Sequence, residues 1–292
     1  MKNIILVTGG AGFIGSNLIN YLLKKTNNKI ISLDNYFTGS KKNHIINNRV
    51  KYINGDNQKI SILLNKYKST IKVIYHFGEF SRIYQSFFMF KKCIDYNLKG
   101  SFEVITFASL NDIKIIYSAS SSMLGNRGKD ENLSPYSWSK SKNIELIQNF
   151  NSWFGLRYEI VFFYNVYGPG QIKKSKMSAV IGIFEDLYDQ KKPLTVVKPG
   201  TQKRDFTHID DIVRGCYLAW KKGNQSKYML GTKKQYRLID IAKMFKRPIK
   251  LIPLRKGERF KSSITNNNAF NQLNYKATIN IKDYIKNYIK KN

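Results

Sequence analysis

Short apolar runs alternate with amphipathic stretches through the first half of the chain. Ile4 to Val7, Ile30 to Leu33, Lys72 to His76 and Ile113 to Tyr117 predict buried strands. Between the first two, Ile14, Leu18 and Leu22 recur at the spacing of one helix face. A further strand is expected from Tyr158 to Phe163. Strands that alternate with helices imply an α/β fold with a doubly wound parallel sheet, covered on both faces. After Gly168-Pro169-Gly170 the rhythm loosens, and Pro193, Pro199, Pro248 and Pro253 punctuate shorter elements. This predicts a first domain over 1–165 and a smaller C-terminal substrate-binding lobe over 166–292, with 205–222 returning to the first domain. Ile281, Ile285 and Ile289 mark one face of a closing helix, and no internal repeat is evident.

Gly9-Gly10-Ala11-Gly12-Phe13-Ile14-Gly15 lies between the first strand and the first helix. Glycines there allow a tight turn and the close approach of a pyrophosphate to the backbone, and the helix N-terminus offers free N–H groups. Gly9, Gly12 and Gly15 thus read as a Rossmann-type dinucleotide cradle, because strand, turn and helix follow in the required order. Asp34 ends the second strand at the distance where an acid meets the adenosine ribose hydroxyls, with Asn35 beside it. An acid there repels a 2′-phosphate, so NAD is expected rather than NADP. The competing reading of Asp34-Asn35 is a simple turn.

Tyr136 and Lys140 share a helix face, on a helix that Pro135 can start. A tyrosine is a poor base near neutral pH, but a lysine ammonium and an oxidised nicotinamide nearby both favour the phenolate. The spacing alone says little, because it recurs at Tyr21/Lys25, Tyr188/Lys192 and Tyr217/Lys221. What selects Tyr136 is Ser120, a hydroxyl at the carboxyl end of a predicted parallel strand, where ligands bind in such sheets. Ser120, Tyr136 and Lys140 are therefore the candidate catalytic set.

Composition adds one puzzle. Lys and Arg number 50 against 19 Asp and Glu, a net charge of +31. The basic residues are scattered in small groups, such as Lys24-Lys25 and Lys173-Lys174, and no block dominates. A compositional bias toward lysine, asparagine and isoleucine explains this better than a nucleic-acid footprint, which should cluster on one element. No specific nucleic-acid partner is expected. The Ile4 to Val7 run is too short for a secretory segment, and no stretch is long enough to enter a membrane, so the cytoplasm is the expected compartment. Cys93 and Cys216 have neither metal nor disulfide spacing, and no metal is expected.

The ordered motifs resemble the extended short-chain dehydrogenase/reductase family, in particular its nucleotide-sugar epimerases and dehydratases. They run from the glycine turn through Asp34-Asn35, Gly55-Asp56, Asn97, Ser120, Tyr136/Lys140 and Asn165-Val166-Tyr167-Gly168-Pro169. They end with Arg204-Asp205-Phe206 and Arg255-Lys256-Gly257-Glu258. The resemblance implies that Phe13 and Ile14 lie over the pyrophosphate and that Asp56, with Asn57, meets the adenine. It implies that Phe77, Gly78, Ser81 and Asn97 line the cofactor, that Lys140 touches it, and that Tyr164 sits near the nicotinamide. Ser120 and Tyr136 would meet the sugar, while Asn165, Arg204 and Arg255 would hold the diphosphate. Ser262 would leave room at the sugar 2-position.

The family's 4,6-dehydratases carry an Asp-Glu pair after the catalytic hydroxyl residue, and decarboxylating relatives keep a Glu. Ser121 and Ser122 stand here. The likeness is greatest to UDP-hexose and UDP-N-acetylhexosamine 4-epimerases, which implies a UDP-sugar substrate and a homodimer built on helices near Phe87 to Phe107 and Ser139 to Phe154. A nucleotide-sugar dehydrogenase or 4-keto-reductase is the enzymatic alternative, and an RNA-associated binding protein on the same fold the remoter one. The chain departs from the family pattern at Gly78-Glu79, where two small residues are usual after His76, and at Leu124, where an aromatic commonly precedes the position of Gly125.

Overall fold

The expected strands form the heart of the molecule. The computed structural model describes residues 3–124, 130–261 and 264–292. Strands β1 (Ile4–Thr8), β2 (Lys29–Asp34), β3 (Val50–Asn54), β4 (Ile71–His76), β5 (Lys114–Ser120) and β6 (Tyr158–Phe163) appear in chain order. They are followed by β7 (Asn165–Tyr167), β8 (Leu194–Val197), β9 (Lys203–His208), β10 (Lys227–Leu230), β11 (Gln235–Arg237) and β12 (Ile249–Ile252). Seven of them make one sheet, ordered β3-β2-β1-β4-β5-β6-β10, and every pairing in it is parallel. This is the doubly wound α/β architecture.

Alternation along each strand sorts side chains to the two faces of the sheet. Leu6, Ile31, Ile74, Ile115 and Tyr117 pack with Val104, Ile105, Ile144 and Ile147, which lie on the Gly100–Leu110 and Pro135–Phe154 helices. Ile5, Val7, Ile30, Val73, Tyr75 and Ile116 pack on the other side with Leu18, Leu22, Ile212 and Val213 from the Phe13–Lys25 and Ile209–Lys222 helices. Burial on both faces is why these strands read as unbroken apolar runs.

Two strands of this sheet escaped the sequence pattern. β3 is an edge strand of mixed exposure, Val-Lys-Tyr-Ile-Asn. β10 follows the Ile209–Lys222 helix and pairs with β6, so the chain's return to the main sheet extends past residue 222. The remaining strands form two small sheets, β11-β9-β7 and β12-β8. They share a separate core of Tyr167, Phe184, Phe206, Leu238, Phe245 and Ile281. A small fourth cluster joins Phe80, Cys93, Tyr136 and Met177 at the junction between the main sheet and these elements.

Candidate active site

In an open parallel sheet, ligands bind where neighbouring strands send their connections to opposite faces, at the strands' carboxyl ends. Here that point lies between β1 and β4. A cavity of about 790 Å³ opens there, and its walls run from the glycine turn after β1 to Arg255–Arg259.

The cofactor half is built from backbone. Gly9 has φ +68°, and a Cβ added there would sit 2.8 Å from the backbone of Phe77 and Gly78. A Cβ at Gly15 would lie 2.2 Å from the Gly9 carbonyl oxygen. The turn is therefore closed to side chains at both positions. Gly12 caps the Phe13–Lys25 helix without a side-chain acceptor, and no acid occupies its first turn. The first N–H groups are left for an anion. Asp34 is buried and accepts from Ala11 N at 2.9 Å and from Tyr36 N at 2.8 Å, so the acid also braces the glycine turn. Burial raises its pKa, and these backbone donors oppose that rise. Asn35 donates to Asp56 at 3.0 Å, and Asn57 donates to the Gly78 carbonyl at 2.7 Å. A cradle that excludes Cβ atoms, a free helix end and an acid at the end of β2 together fit a dinucleotide.

The reactive half sits across β5. Ser120 ends that strand and accepts from Ser122 N at 3.1 Å. Ser134 caps the helix that carries Tyr136 and Lys140, accepting from Ser137 N at 3.1 Å, with Pro135 in its first turn. Tyr136 and Lys140 are both buried and both line the cavity with Ser120. None of the six residues in the three competing Tyr/Lys pairs lines it. Two of those pairs form cation–π contacts, Lys25 over Tyr21 at 5.9 Å and Lys221 over Tyr217 at 5.8 Å.

Of the remaining candidates, Phe13, Ile14, Phe77, Gly78, Ser81, Tyr164, Asn165, Arg204 and Arg255 also line the cavity. Asn97 does not. It is fully buried behind the wall, where its Oδ1 accepts from Phe80 N at 2.6 Å and its Nδ2 donates to Ser139 at 2.9 Å. It braces the loop after β4 and stands behind the cofactor wall. Ser262 lies outside the described residues.

Three features were not singled out as site residues. Arg82 donates to the Met177 carbonyl at 2.6 Å, and Arg259 donates to the Ser121 carbonyl. Both line the cavity with Arg204, which pairs with Glu258 at 2.6 Å. Burial lowers the pKa of Arg82 and Arg204 and pushes that of Arg259 down to about 9. The third is Glu79, buried at the cavity wall and paired with Lys140. The cations were hidden in a lysine-rich background. Glu79 was visible only as a departure from the family pattern.

The family model for the NAD dependent epimerase/dehydratase family matches residues 5–231. The chain is 29% identical to a putative UDP-glucose 4-epimerase of Methanocaldococcus jannaschii over 99% of both chains. Its fold matches the UDP-glucose 4-epimerase of Thermotoga maritima, solved with UDP-glucose, with TM-score 0.90, 23% identity, and 98% and 97% of the two chains covered. It also matches the UDP-glucuronic acid 4-epimerase of Bacillus cereus, solved with UDP-glucuronic acid and NAD, with TM-score 0.87, 26% identity and 99% of each chain covered.

Proposed function

The chain belongs to the NAD dependent epimerase/dehydratase family and uses NAD, and on that footing we propose that it is a nucleotide-sugar 4-epimerase acting on a UDP-hexose or UDP-N-acetylhexosamine. The observation that carries this reading is the meeting of the glycine cradle, Ser120, Tyr136 and Lys140 in one cavity, with Ser121 and Ser122 after the hydroxyl residue. Elimination or decarboxylation needs an acid at those two places in the relatives that perform it. Two hydroxyls leave reversible oxidation as the chemistry.

Bound NAD supplies a hydride acceptor and donor at the sugar C4. Tyr136 takes the proton of the 4-hydroxyl as C4 is oxidised and returns it when C4 is reduced. Ser120 donates to or accepts from the same oxygen as its charge changes. Lys140 holds the cofactor side of the site. Asn165, Arg204 and Arg255 hold the diphosphate while the keto sugar turns to present its other face, and arginine's planar fork suits phosphate oxygens. In this division of labour residues 1–165 and the returning segment bind NAD and supply Ser120, Tyr136 and Asn165 to the substrate, and the elements after residue 165 complete the nucleotide-sugar site.

The test is product analysis by NMR after incubation with UDP-Glc, UDP-GlcNAc and their 4-epimers. Tyr136→Phe is expected to lower turnover by about 10²- to 10⁴-fold, the usual worth of a general acid–base, while NAD stays bound. Substantial residual epimerisation in that variant sinks the assignment. NADH absorbance that changes in step with product would instead mark a net dehydrogenase or reductase.

The same reading makes the protein a homodimer in the cytoplasm. Among the described residues no helix is long and apolar enough to cross a membrane. Phe102, Trp153 and Phe154 are exposed around Phe150 on the two helices expected to pair. Exposed aromatics gathered at one place mark an interaction surface. Trp153→Lys is expected to shift sedimentation from dimer to monomer, and a monomeric parent protein would reject the dimer.

A further inference from the structure

Lys140 does not stand alone beside Tyr136. Its Nζ donates to Glu79 Oε2 and to the Ser118 carbonyl, the latter at 2.6 Å. An ammonium has three protons, so at most one remains for a ligand. The other oxygen of Glu79 accepts from Ser101 Oγ at 3.0 Å, Tyr117 Oη at 3.1 Å and Asn143 Nδ2 at 3.0 Å. Ser101 in turn meets His76 Nε2 at 2.8 Å, and His76 Nδ1 meets Thr8 Oγ1 at 2.7 Å. Side chains from β1, β4, β5 and two helices thus fix one carboxylate against one lysine.

We infer that Glu79 is a positioning residue for Lys140, and that its carboxylate offsets the lysine's charge where Tyr136 must ionise. An anion this close to the ammonium, with both side chains almost fully buried, acts through little intervening water. In a low-dielectric setting the field at Tyr136 is then that of a pair, weaker than that of a free cation.

The other ionisable groups that act on Glu79, Lys140 or Tyr136 include His76, Cys93 and Tyr117 beside the pair and Arg82 and Arg259 near Tyr136. Burial holds His76 at about 4, lifts Cys93 to about 11 and keeps Tyr117 well above its ordinary value. The two arginines stay protonated at neutral pH. None of the five changes charge near neutrality.

The inference rests on Tyr136 and Lys140 as the proton-transfer pair. Glu79→Gln keeps the shape and removes the charge. In the holoenzyme, the acid limb of the kcat/KM profile is expected to move to lower pH. The phenolate absorbance of Tyr136 should also begin at lower pH, read without substrate as the difference from a Tyr136→Phe counterpart. A folded Glu79→Gln enzyme in which neither moves overturns the proposal. Failure of the epimerase reading would show separately, as turnover surviving in Tyr136→Phe itself. A stability cycle covers variants that fold poorly. Lys140→Met should lower Tm by leaving Glu79 without its cation, and adding Glu79→Gln should recover much of the loss. No recovery in the double variant also overturns the pairing.

Discussion

His76 shows how burial turns a single side chain into a pH liability. It is fully buried at the end of β4, held by Thr8 on one ring nitrogen and Ser101 on the other. Burial lowers its pKa from 6.5 to about 4, because the charged ring loses its water. Between those values the unfolded chain binds a proton that the folded chain refuses. The histidine's contribution is therefore complete above about pH 6.5 and is lost as pH falls toward about 4. The linkage is on the order of 3 kcal/mol. Urea unfolding at pH 7 and at pH 4.5 should show this loss in the parent protein and a flatter dependence in His76→Gln. An equal slope in both would assign the acid sensitivity to other groups. Gly15 makes a steric counterpart. A methyl there would meet the Gly9 carbonyl oxygen at 2.2 Å, and that atom is backbone, with little freedom to yield. Gly15→Ala should cost about 1–3 kcal/mol of stability and weaken NAD binding measured by calorimetry. Unchanged affinity would mean that the turn can open without losing its anion site.

At the scale of elements, the Pro135–Phe154 helix carries the proposed proton-transfer pair, and its start fixes where Tyr136 points. Ser134 caps that end, accepting from Ser137 N, and Ser86 Oγ accepts from Tyr136 N at 3.3 Å. Ser134→Ala should lower stability by about 1 kcal/mol. It should also lower kcat more than it changes KM for the nucleotide sugar, since fraying moves Tyr136 while the diphosphate anchors lie elsewhere. A Tm loss with kinetics untouched would show that other contacts, such as Ser86 Oγ to Tyr136 N, are enough to keep Tyr136 in place. This helix was legible in the sequence because Pro135 marked its start and Tyr136 and Lys140 fell on one face. The five apolar strands were legible because both faces are buried. β3 was not, since an edge strand alternates Lys51 with apolar neighbours and never forms an apolar run. β10 was not, since four residues leave almost no period to read. The Glu79–Lys140 pair spans 61 positions, and such a contact becomes visible only when β4 and the helix are assembled. Asn97 is the opposite case: its motif match was plain, yet its two amide ends hold Phe80 and Ser139, and it is not among the residues that line the cavity.

The whole molecule carries its +31 charge unevenly. Several of its few acids are drawn inside to serve local structure. Glu159 pairs with Lys114 at 2.6 Å and accepts from Gln225 N and Ser226 N. Asp211 pairs with Arg214 and accepts from Thr278 N and Ile279 N, which ties the start of the last segment to the Ile209–Lys222 helix. Asp205 holds Thr232 N and Lys233 N, fixing the link from β10 to β11. Each such acid is removed from the surface, where it could have offset a lysine. The outside is therefore a field of like charges, and self-repulsion works against the compact state. Salt should relieve it. Between about 10 mM and 150 mM sodium chloride the screening length falls from about 30 Å to about 8 Å, so distant lysines cease to feel one another while buried pairs such as Glu79–Lys140 are little affected. Tm is expected to rise over this range, equally with potassium chloride, because screening does not distinguish the cations. A flat or falling Tm would mean that the exposed ion pairs, which the same salt weakens, outweigh the repulsion. RNA binding that fades over the same range, in a protein that fails to bind UDP-sugars, would give the charge a purpose and displace the epimerase reading. Salt-raised stability together with UDP-sugar binding would leave the charge as a compositional load that the fold tolerates.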